Sequence, residues 1–336
     1  MCIYPKYKLN PKYLPNKKNG GNPPACRDER KRWIKIDCNK CYECRKKYSR
    51  EWKIRLIEEL RNDSDAYFIT LTFSEESYNE LKKKYDLTDE NKIATKAIRL
   101  LLERIRKEKG KSIKHFFVTE LGHEKTKRLH LHGITWNKAY TECLLNKWKY
   151  GITFTGTYVS VATMNYIVKY ITKKDIDNID FNGIILATPG LGKSYLNRLD
   201  AKINEYNGYK TNTNYTLPNG IEIPLPKYYK NKLYDESQRN ALWTKLLDDD
   251  EFYINGWKYK GSDKETENKL LEEARLIGYE MDKTRWDLLE KNKTMKRLKS
   301  SILMNNEQFE DNVLETLNEL SNNEFLKMFN ERNNVF

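Results

Sequence analysis

The sequence predicts an α+β fold in which helices flank an antiparallel sheet and a mostly helical region follows. Three observations lead to this fold class. Short segments rich in β-branched and aromatic residues, with alternating apolar positions, occur between residues 67 and 136. A long amphipathic segment separates the first of them from the next two. Charged stretches with helical periodicity dominate the chain after residue 224.

The N-terminal region, residues 1–60, is basic. Residues 5–26 are rich in Pro, Asn, Gly and Lys and look irregular, and a helical pattern runs from 42 to 61. Residues 1–50 hold 15 Lys or Arg against 4 Asp or Glu, a local net charge of +11. This charge favours contact with nucleic-acid phosphates, although a solvated basic arm is the alternative. The predicted DNA-binding residues are Arg45, Lys46, Lys47, Arg50 and, further along, Arg128.

The central region, residues 61–195, contains the predicted sheet. A strand at 67–73 precedes an amphipathic helix at 89–109, which ends at Gly110. Strands at 115–121 and 128–136 are joined by a short polar segment, which predicts a hairpin. After a partly helical stretch come a helix at 158–174 and a strand at 182–187. Strand, helix, strand, strand, helix, strand is the order of a ferredoxin-like sheet. Residues 196–336 form the third region, a polar loop followed by charged helices.

Two histidines two residues apart suggest a metal site. On a strand, His130 and His132 point to the same side of the sheet and can share one ion. The predicted hairpin can bring the carboxylate of Glu120 beside them. Two imidazoles and one carboxylate suit Mn²⁺ or Mg²⁺ when the substrate supplies further oxygens. The alternative is a pair of ordinary strand histidines.

Two tyrosines four residues apart lie on the predicted helix at 158–174. Tyr166 and Tyr170 project from the same face, and each is followed three residues later by a lysine, Lys169 and Lys173. A phenol is a poor nucleophile at neutral pH, but a metal on the scissile phosphate and a nearby ammonium stabilise the developing charge. The spacing therefore indicates paired nucleophiles, with an ordinary amphipathic helix as the alternative.

Together these residues resemble the HUH endonucleases, in the order found in rolling-circle replication initiators. His130-Leu131-His132 precedes Tyr166-x-x-Lys169 by some 35 residues, and the strand at 68–73 looks like the family's first motif. The doubled Tyr-x-x-Lys is similar to the two-tyrosine initiators of the Microviridae, small single-stranded DNA phages. Matches over residues 36–195 point to the gokushovirus branch: Cys38-Asn39-Lys40-Cys41-Tyr42-Glu43-Cys44-Arg45, the Trp52/Arg55/Glu58 helix, Glu120-Leu121-Gly122 and Pro189-Gly190-Leu191-Gly192. Leu121-Gly122 departs from the aromatic-Gly pair expected there.

The resemblance implies a ferredoxin/RRM-like nicking domain and a specific activity. Such an enzyme nicks the viral origin on one strand through a tyrosine 5′-phosphodiester and later rejoins circular single-stranded DNA. The implied partners are origin DNA and the host replication polymerase and helicase, and the expected location is the cytoplasm of the infected bacterium. We see no apolar run of membrane-spanning or signal-peptide length, so we expect no membrane partner. The oligomeric state cannot be read from the sequence.

A cysteine cluster suggests a second metal. Cys38, Cys41 and Cys44 are spaced like zinc ligands, and the fourth ligand could be Cys26 or Cys2. A complete second Cys-x-x-Cys is absent, and cysteines are often small buried apolar residues, so a structural zinc stays one of two interpretations. Cys143 is predicted to lie in the core.

Residues 187–194 raise a competing interpretation. They fit a relaxed phosphate-binding loop after an apolar strand, but Ala187 replaces the first glycine and no helix with further parallel strands follows. Three rivals to the initiator therefore remain: a zinc-stabilised nucleic-acid binder without catalysis, a plasmid-type initiator or transposase of the same superfamily, and a phosphate-loop helicase or packaging enzyme.

Overall fold

The computed structural model describes residues 1–122, 128–156, 159–172, 181–217 and 220–289. Met1–Gly278 form one compact unit, and a second unit runs from Tyr279 to Phe336. The divisions at residues 60 and 195 stay predictions. The first elements are an antiparallel strand pair and a long helix: β1 (Lys6–Leu9), β2 (Trp33–Ile36) and α1 (Tyr42–Asn62).

Five strands form the central sheet, and every neighbouring pair is antiparallel. They are β3 (Ala66–Thr72), β4 (His115–Leu121), β5 (Leu129–Trp136), β6 (Thr153–Gly156) and β7 (Ile185–Ala187), in the order β6-β3-β5-β4-β7. The helices within this stretch are α2 (Glu75–Lys84), α3 (Glu90–Lys109), α4 (Lys138–Lys147) and α5 (Val161–Thr172). The predicted α+β class, with helices flanking an antiparallel sheet, is confirmed.

The second crossover helix of the sheet differs from the expected one. Strands β3, β4, β5 and β6 alone complete a ferredoxin-like order, and the helix between β5 and β6 is α4, not the tyrosine helix α5. Helix α4 begins where the Asn137 side chain accepts a hydrogen bond from the Tyr140 N–H, and it buries only Thr141, Cys143 and Leu144. Because α4 buries so few residues, its sequence shows only a weak helical pattern. Strand β7 then extends the sheet at its other edge, beside β4.

Different helices pack on the two faces of the sheet. Alternate strand residues, such as Leu71 and Leu131, pack with α2, α3 and α4 in one core. The strand residues that point to the opposite face, such as Ile134, pack in a second core with Leu56 of α1 and Ile167 of α5. Because side chains alternate across a strand, the histidines of β5 fall on the α1 and α5 face.

The segment after residue 195 is tied to α1 by a buried carboxylate. Glu58 is 1% exposed. Its two oxygens lie 2.9 Å from Arg61 Nη1 and 2.7 Å from Arg198 Nη1, and Tyr215 Oη donates to the carboxylate as well. A buried carboxylate needs such partners, because an unpaired charge there would be costly. The remaining described elements are β8 (Asn214–Thr216), β9 (Glu222–Pro224), α6 (Lys227–Leu233), α7 (Glu236–Asp249), β10 (Glu251–Ile254), β11 (Trp257–Lys260) and α8 (Lys264–Leu289).

Candidate active site

Strand register gathers the predicted metal ligands at one place on the α1 and α5 face of the sheet. In β4, Glu120 pairs with His130 of β5, and in β3, Thr70 pairs with His132. The closest contact is diagonal: His132 Nε2 lies 2.9 Å from Glu120 Oε2. The structure therefore brings together the three side chains that the sequence nominated.

Thr70 orients the His132 ring, a role that the sequence analysis missed. Its Oγ1 lies 3.0 Å from His132 Nδ1. The hydroxyl can accept from Nδ1–H, which leaves Nε2 to face Glu120; such a bond fixes the tautomer and the direction of the ring. The signal was present in the sequence, because Thr70 and Thr72 share the sheet face of the two histidines.

His130 is held in its neutral form. Burial lowers the pKa of this imidazole, the neighbouring His132 lowers it further, and the charge of Glu120 opposes the shift. Neutral imidazole is the form that ligates metal ions. The two imidazole rings lie 6.3 Å apart and are nearly parallel.

The two tyrosines of α5 lie against this group of side chains. The Tyr170 ring stacks on the His132 ring, with centroids 4.4 Å apart and planes 9° apart. Its Oη donates a hydrogen bond to Tyr166 Oη. Burial raises the pKa of Tyr170, as do the bond to Tyr166 and the charge of Glu120. Tyr166, in contrast, is 50% exposed. The two phenols are therefore adjacent but not equivalent.

Of the two predicted lysines, only Lys169 falls within the described residues, where it is exposed on α5. Lys173 lies outside them. Their proposed contact with the phosphate stays a prediction.

The donor set at the histidines fits a hard divalent ion, but the ligand atoms are not fully gathered. Within the described ranges, only a group of four cysteines has three or more potential ligand atoms all within 4.8 Å of one another. His130, His132 and Glu120 do not meet that distance.

The cysteine group is Cys2, Cys38, Cys41 and Cys44, a set that could bind a structural metal such as zinc. Cys2 Sγ lies 3.9 Å from Cys41 Sγ, and Cys38 Sγ lies 3.8 Å from Cys44 Sγ. Cys26, which the sequence also offered as the fourth ligand, is outside the group and donates to the Asp28 carbonyl oxygen at 3.2 Å. That assignment is corrected to Cys2, which the fold brings in from 36 residues before Cys38. Cys143 is buried, as predicted.

The predicted DNA-binding residues lie in different surroundings. Lys47 and Arg128 are exposed, and Lys47 Nζ forms an ion pair with Asp37 at 2.9 Å. Lys46 and Arg50 are partly buried, and burial lowers the pKa of both. DNA binding by these residues stays a prediction.

Arg45 differs from the other four because it is buried, 7% exposed. Its guanidinium donates from Nε to the Thr172 carbonyl oxygen at 3.3 Å and from Nη1 to the Lys40 carbonyl oxygen. These hydrogen bonds hold the Arg45 guanidinium inside the protein, where α1 contacts α5.

The loop at 187–194 does not present a phosphate cradle. The Gly192 N–H, one of the donors that a phosphate would need, bonds the Glu59 carboxylate at 2.6 Å. Lys193–Asn197 form a short 3₁₀ helix where a phosphate-binding loop would lead into an α-helix. Arg55 Nε also bonds the Leu191 carbonyl oxygen at 3.0 Å, so the loop is packed onto α1.

Known proteins resemble this chain over the same region. A family model for replication-associated proteins of the ORF2 type matches residues 66–175, from the start of β3 to just beyond α5. The replication-associated protein VP4 of Bdellovibrio phage phiMH2K is 27% identical over 219 residues, which are 57% of this chain and 65% of that protein. The replication-associated protein ORF2 of Spiroplasma virus 4 is 27% identical over 252 residues, 67% of this chain and 72% of that protein. The chain is similar to the replication-associated proteins of phages over this region. This similarity confirms the resemblance predicted from the sequence.

Two further findings can be added. No solved structure matches it significantly. None of the helices in the described part of the chain is both long and apolar enough to cross a membrane.

Gly122 leaves room for the His130 ring, and this gives a first prediction. A Cβ at residue 122 would lie 2.9 Å from His130 Cε1, so Gly122→Ala should displace the ring. We expect any activity that depends on the His130 ring to fall about tenfold, since catalysis is sensitive to small misplacements. Gly156→Ala is the matched control, because its Cβ would meet Phe68 at an ordinary 3.6 Å. Equal activity of the two variants would contradict this role of Gly122.

Proposed function

We propose that this protein initiates rolling-circle DNA replication by nicking one strand of the phage origin and later rejoining the ends. The stacking of Tyr170 on His132, with Tyr166 beside it, carries the proposal. It places two phenols next to two imidazoles and a carboxylate on one face of the sheet. Similarity to the replication-associated proteins of phages supports the same function.

The proposed reaction is a phosphoryl transfer to tyrosine. A tyrosine Oη attacks the scissile phosphorus, the bond from phosphorus to the 3′ oxygen breaks, and the phenol proton leaves. The 5′ phosphate is then joined to the protein, and the 3′ hydroxyl is free for a host polymerase to extend. After one circuit the second tyrosine cleaves the regenerated origin. The released 3′ hydroxyl then attacks the first phosphotyrosine and closes the circle.

The two tyrosines have different roles at the first step, and we propose that Tyr166 attacks first. It is half exposed, so an incoming strand can reach its oxygen. It also accepts the hydrogen bond from Tyr170, which fixes the position of its oxygen beside the histidines. Tyr170 is more buried and is better suited to the second cleavage, once Tyr166 has reacted.

The proposed cofactor of this site is Mg²⁺ or Mn²⁺, held by His130, His132 and Glu120. Such an ion supplies Lewis-acid stabilisation of the scissile phosphate and of the leaving oxygen. Thr70 keeps His132 aimed at the site, and burial keeps His130 neutral. Lys169 and Lys173 would steady the phosphate, and the basic N-terminal region would hold origin DNA. A host helicase is the remaining proposed partner.

We also propose that Cys2, Cys38, Cys41 and Cys44 bind one Zn²⁺. A tetrahedron with Zn–S bonds of about 2.3 Å has sulfur–sulfur edges of about 3.8 Å. Two of the six sulfur pairs in the group lie 3.8 and 3.9 Å apart, far longer than a disulfide bond of about 2.05 Å. Two backbone N–H groups donate to the sulfurs of Cys2 and Cys38, as expected for thiolates.

A covalent-adduct assay tests the proposed function. Full-length protein is incubated with labelled single-stranded origin DNA and Mn²⁺ or Mg²⁺, and the products are separated on a denaturing protein gel. We expect a labelled adduct that needs the metal and withstands denaturation. Tight DNA binding with no adduct under either metal would favour the rival function, a nucleic-acid binder without catalysis.

A further inference from the structure

We infer that Arg45 is a positioning residue that couples the cysteine group to the tyrosine helix α5. The inference rests on the proposed function for the meaning of α5, and it gives Arg45 a role other than DNA binding. It is carried by hydrogen bonds that run from the cysteine loop through α1 to the last turn of α5.

The first link is the guanidinium of Arg45 itself. One arm reaches the carbonyl oxygen of Thr172, in the last described turn of α5. Nε of Arg45 lies 3.3 Å from that oxygen, so the guanidinium ties α1 to this turn of α5.

A second link from α1 holds the same turn of α5. Ser49 Oγ donates to the Val168 carbonyl oxygen at 3.0 Å, one helical turn before Thr172. Val168 and Thr172 flank Tyr170, whose ring stacks on His132. Two side chains of α1, one turn apart, thus fix the backbone turn that presents this tyrosine to the metal ligands.

The third link joins Arg45 to the cysteine group. Its other arm bonds the carbonyl oxygen of Lys40, within the loop between Cys38 and Cys41. Asn39 has a φ of 59°, so this loop turns through the left-handed region. Cys41 caps the N-terminus of α1 without a side-chain hydrogen bond, and Cys44 lies in the first turn. A metal on the four sulfurs would hold the loop, and hence the Lys40 oxygen, in place.

Lysine cannot replace Arg45 in this arrangement. The planar guanidinium reaches two carbonyl groups in different directions, whereas an ammonium is a single point charge on a flexible stem. Arg45→Lys therefore keeps the positive charge but loses one of the two links. The substitution separates a positioning role from a role in phosphate binding, because a lysine still binds phosphate.

The experiment measures adduct formation at saturating origin DNA, DNA affinity over a range of salt concentrations, and backbone amide exchange in α5. The variants are Arg45→Lys and Cys38→Ser. The matched controls are Arg61→Lys, on the same helix, and Cys26→Ser, outside the cysteine group. Circular dichroism confirms that each variant folds. The same measurements are made on wild-type protein after zinc is removed and again after zinc is added back, which tests the metal without a substitution.

We expect Arg45→Lys and Cys38→Ser each to slow adduct formation by about 10- to 100-fold, with DNA affinity nearly unchanged. The double variant should be no slower than the worse single one, because both changes break one chain of contacts. Amide exchange in α5 should rise in both variants and in zinc-stripped protein, and neither control should change.

Two results would overturn the inference. One is a normal rate of adduct formation by Arg45→Lys at saturating DNA, which is the result expected if Arg45 only contacts phosphate, because lysine keeps the charge. The other is unchanged α5 exchange after zinc removal. If wild type forms no adduct, the proposed function fails, but the exchange measurement still tests the coupling.

Discussion

Replacing Tyr166 and Tyr170 together with phenylalanine should abolish the covalent protein–DNA adduct, while single-stranded DNA binding stays within about twofold. The double variant removes both oxygens that face the His132 region and keeps both rings, so the stacking on His132 and the packing of α5 remain. Without a nucleophile there is no route to the phosphotyrosine, so the loss should be complete rather than partial.

The two single tyrosine substitutions should slow the first cleavage by different amounts. Tyr166→Phe should slow the first cleavage by about 10- to 100-fold, because the less exposed Tyr170 must then attack. Tyr170→Phe should slow it only several-fold, the size expected for one lost hydrogen bond to Tyr166. Tyr209→Phe, an exposed tyrosine elsewhere, is the control. Pre-steady-state adduct formation distinguishes the two rates, and a larger loss in Tyr170→Phe would reverse the proposed order of attack.

His132→Ala should reduce metal-dependent cleavage by at least about a hundredfold, because it removes a proposed ligand that also contacts Glu120 and Tyr170. Thr70→Val should be milder, raising the Mn²⁺ concentration for half-maximal rate by about 10- to 100-fold, the usual cost of losing an outer-shell partner. Cleavage is measured against metal concentration for each variant.

Thr155→Val is the control for Thr70→Val. Thr155 lies on the edge strand β6 opposite Ile69, and is therefore on the other face of the sheet from Thr70. An unchanged metal requirement in Thr70→Val would mean that the hydroxyl does not orient His132. Full activity of His132→Ala at low metal concentration would remove His132 from the metal site.

Much of the sheet and of the site was predictable because it follows from local periodicity. The alternation along β5 placed His130 and His132 on one face, and the hairpin placed Glu120 beside them. The four-residue spacing placed Tyr166 and Tyr170 together on α5.

Other features depend on tertiary contacts that a local pattern does not encode. Cys2 joins the other cysteines across 36 residues, and α4 has too short an apolar face to stand out. Arg45 was expected to bind DNA because it lies in a basic segment. The fold instead buries it at the end of α5, where backbone carbonyls satisfy it.

The helices that pack on the two faces of the sheet determine how short an active fragment can be. Helices α2, α3 and α4 connect strands of the sheet, but α1, which helps to cover the face with the histidines, precedes the first of those strands. A truncated protein that starts at Ala66, where the family match begins, would keep every proposed ligand and nucleophile. It would leave Phe116, Ile134 and Trp136 without the apolar side chain of Leu56, and it would lose the bonds to Val168 and Thr172. Such a fragment would tend to aggregate, so the minimal active fragment should begin no later than the cysteine loop.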